Sequence, residues 1–162
     1  MRYLERRKVK KGLSTRNFAA PVEHLLDTFL DSGREGGEYG VFEPIVTRET
    51  KGVSPKPSPE GLWFIAKIWG LGEDEVGSIG NGMGGERGEV DPLVMARKIG
   101  EGLIMVGDSV DDMRAGRRAG AATVLLVNDE NGELEAGEDV DLGVRRLDEL
   151  VGVLEKGFEG RS

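Results

Sequence analysis

Apolar residues recur every three or four positions in some stretches of this chain and run together in others. The alternation of the two patterns sets the expected elements. Val22, Leu25, Leu26, Phe29 and Leu30 repeat at helical spacing, behind Asn17 as a cap and with Pro21 in the first turn. Leu62, Ile65, Ala66 and Trp69 form a second stripe, opened by Ser58-Pro59 and ended by Gly70. Residues 111–119 predict a helix stopped by Gly120, and Leu147, Leu150, Val151 and Leu154 predict a closing one. Tyr3-Leu4 followed by Glu5-Arg6-Arg7-Lys8 reads as the tail of an amphipathic helix, and Asp91-Pro92 opens a short helix through Ile99. Continuous apolar runs at 103–106 and 122–127 suit strands buried on both faces of a parallel sheet. Weaker strand candidates lie at 9–15, at 41–47, which carries Pro44, and at 140–144. Residues 31–40 and 73–89 are rich in Gly and Glu and read as loops, and 51–59 holds three prolines and reads as an ordered turn. Strands alternating with helices predict an α/β layered sheet, and no internal repeat interrupts the pattern.

Composition narrows this picture. The 162 residues predict one domain over 1–157, with a mobile loop at 73–90 and a tail at 158–162. Apolar residues make up 38% and charged residues 32%, outside the disordered range. The net charge of −8 argues against non-specific nucleic-acid or anionic-membrane binding, and leaves room for a small phosphorylated substrate at a local positive site. The absence of cysteine excludes disulfides and thiolate zinc sites and suits a reducing, cytoplasmic compartment. No run reaches the roughly 20 apolar residues of a membrane span. The basic start, residues 1–11, has no apolar h-region behind it and does not read as a secretory signal. His24 falls in an expected helix and reads as a surface residue, and Trp63 and Trp69 read as packing. Residues 80–85 satisfy G-x-G-x-x-G, but Glu73-Asp74-Glu75 precede them and Glu86-Arg87-Gly88-Glu89 follow. Without a buried strand before and a helix after, that pattern does not signify a dinucleotide site.

Three segments carry candidate chemistry. Gly12-Leu13-Ser14-Thr15-Arg16-Asn17 ends a strand on a hydroxyl residue. Lys56-Pro57-Ser58-Pro59 sets a lysine before a proline-opened helix. Ile104-Met105-Val106-Gly107-Asp108-Ser109-Val110-Asp111-Asp112 ends a buried strand in glycine and then presents carboxylates. Ligands of open α/β sheets bind beyond the carboxyl ends of the strands. Thr15 and Asp108 fall at such ends, with Lys56 on a following loop. A hydroxyl, an ammonium and paired carboxylates suit an oxygen-rich anion with a hard cation such as Mg²⁺, which takes one or two carboxylates and keeps several waters. Phosphoryl transfer asks for positioning and charge neutralisation, and this set supplies both. Each residue also has an ordinary structural reading. Ser109 and Asp112 match a capping box, Thr15 can bond to backbone, and Lys56 can be a solvated lysine. The capping and ligand readings are compatible.

In this order the three segments resemble motifs II, III and IV of the haloacid dehalogenase-like (HAD) hydrolases, in the phosphoglycolate phosphatase-like branch. The resemblance covers about residues 4–154. It implies a Rossmann-like three-layer α/β sandwich and Mg²⁺-dependent hydrolysis of small phosphate esters through an aspartyl-phosphate. It places Thr15 and Lys56 on the phosphoryl group, Asp108 on Mg²⁺, and Asp112 in support of the metal shell. One motif departs from the family. The nucleophile belongs to an Asp-x-Asp-Gly-Thr stretch upstream of motif II, yet the 14 residues before Thr15 contain no aspartate. Asp139-Val140-Asp141 follows motif IV and continues into Leu142-Gly143, so it is not a displaced motif I. The resemblance therefore implies an N-terminally truncated member whose central first strand and cap are missing. Such a chain is expected to be catalytically incomplete, weak in Mg²⁺ binding and marginal in stability. The alternative is a non-catalytic phosphate- or metal-binding pseudo-enzyme or interaction protein. A receiver domain also uses Asp, Thr and Lys, but its acidic residues come first in the chain.

Overall fold

A computed structural model describes residues 2–29, 42–71 and 102–157. The loop expected at 31–40, the Gly- and Glu-rich stretch at 73–89 with its glycine pattern, the helix expected at 91–99 and the tail expected at 158–162 lie outside the described residues. The chain divides into two compact units, Met1–Pro55 and Lys56–Ser162.

The first unit holds α1 (Arg2–Arg6), β1 (Leu13–Ser14), α2 (Ala19–Phe29) and β2 (Ile45–Val46). β1 and β2 are parallel, with Leu13 opposite Ile45 and Ser14 opposite Val46. Both are shorter than the apolar runs that announced them. β2 starts directly after Pro44, which lacks an N–H but still accepts from the Leu13 N–H at 3.0 Å, so the proline sits where only its carbonyl is needed. α2 buries Val22 and Leu26 and leaves Leu25 55% exposed, a narrower stripe than expected. Nor does this helix start on Asn17. The Ala19 N–H, one of the donors with no intrahelical acceptor, is satisfied at 2.8 Å by the Glu49 carboxylate, 30 positions away.

The second unit holds α3 (Glu60–Ile68), β3 (Ile104–Gly107), α4 (Val110–Ala119), β4 (Ala122–Leu126), a 3₁₀ turn (Gly132–Ala136), β5 (Leu142–Val144) and α5 (Glu149–Lys156). Its strands form one parallel sheet in the order β3-β4-β5, with Ile104 opposite Ala122 and Val124 opposite Leu142. This is the α/β architecture with parallel strands expected of a Rossmann-like core. α4 packs on β3 and β4, and α3 packs on α4. The contact of α4 with the sheet is close because Gly116 has no side chain. A Cβ there would meet Thr123 Cγ2 at 2.7 Å and Met105 Cβ at 2.9 Å. Gly120 ends α4 in the left-handed region, at φ 77°, where glycine carries no Cβ penalty.

Met113, Leu125, Val127 and Val140 form a buried cluster in this unit, with Leu134 packed against it. Full burial of each such side chain stabilises by about 1.5–3 kcal/mol. β4 is buried through Thr123, Val124 and Leu125, as its apolar run predicted. β3 is not buried on both faces, because Ile104 is 40% exposed. The stripe Leu62, Ile65 and Ala66 on α3 is buried as expected, while Trp69 serves as the C-cap. Ser58 contributes to the start of α3, its hydroxyl accepting from the Glu60 N–H at 3.3 Å. The 3₁₀ turn has no apolar period beyond Leu134 and left no signal in the sequence. Among the described residues, no helix is long and apolar enough to cross a membrane.

Candidate functional site

The most organised polar cluster lies at the carboxyl end of β3. The strand ends at Gly107, Ser109 caps α4, and Asp112 sits in its first turn. The two polar ends of Ser109 and Asp112 satisfy each other. Asp112 N–H donates to Ser109 Oγ at 3.3 Å, and Asp112 Oδ2 accepts from Ser109 Oγ at 2.8 Å and Ser109 N–H at 3.2 Å. The Asp108 N–H reaches the same oxygen at 3.2 Å. So tight a turn needs glycine at position 107, where a Cβ would lie 2.6 Å from Asp112 Cγ and Oδ2. The capping box read from the sequence is therefore present.

It is also more than a cap. Asp112 is 5% exposed, and its other oxygen, Oδ1, faces Lys56 Nζ at 2.5 Å in an ion pair whose side chains are both largely buried. Lys56 precedes a cis Pro57, whose carbonyl accepts from Arg118 Nη1 on α4 at 3.1 Å. Burial opposes ionisation of Asp112, but the Lys56 ammonium, the Ser109 hydroxyl and the Asp108 N–H together outweigh it. The carboxyl is held below its ordinary value. At neutral pH the Asp112 carboxyl is therefore ionised.

Asp108 differs from Asp112. Its side chain is exposed, but its backbone is held twice, by Asp112 through the N–H and by the Asn131 Nδ2 amide through the carbonyl, at 2.8 Å. The arrangement thus offers one solvent-facing carboxylate on a rigid turn, an inner carboxylate with both oxygens engaged, and a lysine beside it. Among the described residues no group of three or more His, Asp or Glu gathers to cage a metal. Of these residues Asp108 could hold a hydrated hard cation, with waters completing the shell.

Thr15 follows β1 in the Met1–Pro55 unit. Its N–H donates to the Val46 carbonyl at 2.9 Å, and its Oγ1 accepts from the Asn17 N–H at 3.1 Å. The structure brings Lys56, Asp108 and Asp112 together in the second unit. It shows Thr15 at a strand's carboxyl end, as expected, with a backbone partner. His24 is exposed on α2, consistent with a surface residue.

Two polar residues have partners that the sequence reading did not assign. Asn131 is 7% exposed and bonds the Asp108 turn. The Asn128-x-x-Asn131 spacing, typical of turns closed by an amide side chain, was the available signal. Asp141 accepts from the Thr123 N–H at 2.8 Å, from Thr123 Oγ1 at 3.0 Å and from Arg117 Nη2 at 2.7 Å. Burial disfavours its charge, and those partners overcome the penalty, so this carboxyl too is held below its ordinary value.

Comparison with known proteins agrees with this layout. Residues 93–150, which include β3, α4, β4 and β5, match the HAD-hydrolase-like family. An uncharacterized hydrolase of Saccharomyces cerevisiae is 37% identical over 96% of this chain and 56% of its own length. A haloacid dehalogenase-like hydrolase domain-containing protein of Arabidopsis thaliana is 29% identical over 97% of this chain and 51% of its own length. The chain spans about half the length of these curated relatives. The chain, with its parallel α/β fold, is thus similar to HAD-like hydrolases over residues 93–150 and, in these two relatives, over nearly its whole length.

Proposed function

We propose that this chain carries part of the site of a Mg²⁺-dependent phosphatase acting on small phosphate esters, within the phosphoglycolate phosphatase-like branch. The observation that carries the reading is the cluster at the carboxyl end of β3, with Lys56 paired to Asp112 and Asp108 turned to solvent. In this reading Lys56 and Thr15 contact the phosphoryl oxygens, Asp108 holds the cation, and Asp112 fixes both Lys56 and the Asp108 backbone. Bound Mg²⁺ would neutralise phosphoryl charge. The family reaction then proceeds by attack of an aspartate oxygen on phosphorus, departure of the alcohol, and hydrolysis of the resulting aspartyl-phosphate by water.

The 162 residues hold no Asp-x-Asp-Gly-Thr stretch to supply that nucleophile. Ser109 is a poor substitute, because the carboxylate beside it is depressed in pKa, its Oδ2 already accepts three donors and its Oδ1 faces Lys56. The chain by itself should not turn over a generic aryl phosphate with Mg²⁺. Turnover that scales with protein and disappears in Asp108→Asn would overturn this reading. A second reading, a non-catalytic phosphate- or metal-binding protein, draws on the same ion pair, since Lys56 and Asp112 neutralise each other without a ligand. Fusing an upstream segment that bears Asp-x-Asp-Gly-Thr separates the two: the first expects turnover to appear, the second does not.

A further inference from the structure

We infer that Asn131 is a positioning residue for Asp108, holding the turn from which that carboxylate meets a divalent cation. This rests on the proposed role of Asp108. The Asn131 amide spans two neighbouring strand ends. Its Nδ2 donates to the Asp108 carbonyl, just past β3, at 2.8 Å and to the Leu126 carbonyl, the last residue of β4, at 3.0 Å. Its Oδ1 accepts from the Asn128 N–H at 2.7 Å. These partners fix the orientation of the amide, because reversing it would set Oδ1 against two carbonyl oxygens.

The turn that delivers Asn131 is itself braced. Asn128 Oδ1 accepts from the Glu130 N–H at 2.8 Å and the Asn131 N–H at 3.1 Å. The peptide groups of Asp108 are consequently clamped from both sides, by a residue four positions on and by one 23 positions on. What remains mobile is the exposed carboxylate. A ligand held this way loses less freedom when it binds a cation, and such outer partners are worth about 10–100-fold in metal affinity.

The test is a titration of the ¹⁵N-labelled full chain with MgCl₂ alone, read at the Asp108 and Ser109 amides and compared with melting temperature and amide exchange. Asn131→Ala and Asn131→Ser should require about tenfold more Mg²⁺ for the same response and exchange faster at Asp108 and Ser109. Val140→Ala loosens the buried core of the same unit without touching the clamp, so it should lower the melting temperature and keep the wild-type titration. The inference fails if the Asn131 variants titrate like wild type, or if Val140→Ala weakens Mg²⁺ as much as they do. A wild-type response unchanged in Asp108→Asn overturns the metal role of Asp108 instead. Amide exchange then still decides on Asn131: faster exchange in Asn131→Ala supports the clamp, and unchanged exchange removes it.

Discussion

Asp112 and Asp141 are the same residue in nearly the same circumstances, and they do different work. Each has a buried side chain in the second unit, each faces a cation, each accepts from the backbone and from a hydroxyl, and each has a lowered pKa. What separates them is the end of the sheet at which they sit. Asp112 lies past the carboxyl end of β3. Asp141 precedes β5 and grips Thr123 near the start of β4, at the amino end of the same parallel strands. Ligands of such sheets gather beyond the carboxyl ends. Asp112 therefore supports a solvent-facing carboxylate, whereas Asp141 ties Arg117 on α4 to β4. A buried, ionised, well-bonded aspartate is thus not in itself a mark of function, and its strand end carries the distinction.

Four experiments can break or sharpen that contrast. The largest effect should come from Asp141→Ala. The side chain is 1% exposed, and its loss strands the Thr123 N–H and Arg117. Unfolding free energy from denaturant titration should fall by about 3 kcal/mol, with the Mg²⁺ response at Asp108 unchanged. A weakened response would mean that the two ends are coupled. Gly107→Ala should come next, at about 2 kcal/mol, because the new Cβ displaces Asp112. Unlike Asp141→Ala, it should also perturb the Asp108 amide.

The third concerns acid. Both carboxyls have folded values below the ordinary aspartate value of about 3.8. Their contribution is therefore complete above that ordinary value and is lost as pH falls through the lower folded values. Denaturation midpoints should drop as pH falls below about 4 and fall less steeply in Asp112→Asn combined with Asp141→Asn. An equally steep acid limb in the double variant would assign acid sensitivity to other groups. The smallest effect is expected of Ser109→Ala, about 1 kcal/mol for a lost cap. If Ser109→Ala also leaves the Asp108 amide in place, the Asp112 and Asn131 bonds suffice to hold the turn without the Ser109 hydroxyl.

The elements read best from sequence were those whose causes are local. α4 was legible because Asp112 lies within its span and Ser109 and Gly120 directly flank it, and β4 because its apolar run is buried as a run. Lys56 was legible as a lysine on an ordered turn before a helix, although its partner was not. The misses share one origin, which is contact across long stretches of chain. α2 takes its terminal acceptor from Glu49 rather than from Asn17. Asn131 reaches Asp108, and Asp141 reaches Thr123 and Arg117, across intervals that periodicity does not encode. Ile104 was misjudged because an apolar run reports what a strand prefers, whereas exposure depends on what covers it.

The order β3-β4-β5 bears on how this unit assembles in time. Neighbours in the sheet are neighbours in sequence, and the helix joining β3 to β4 is itself closed at both termini by its own residues. Pairing Ile104 with Ala122 closes a short loop, so little chain entropy is lost before contacts accumulate. The stretch from Ile104 to Leu126 is thus suited to act as the nucleus. Conservative truncations of Met113 or Val124 should slow refolding, while those of Val140 or Val144 should mainly speed unfolding.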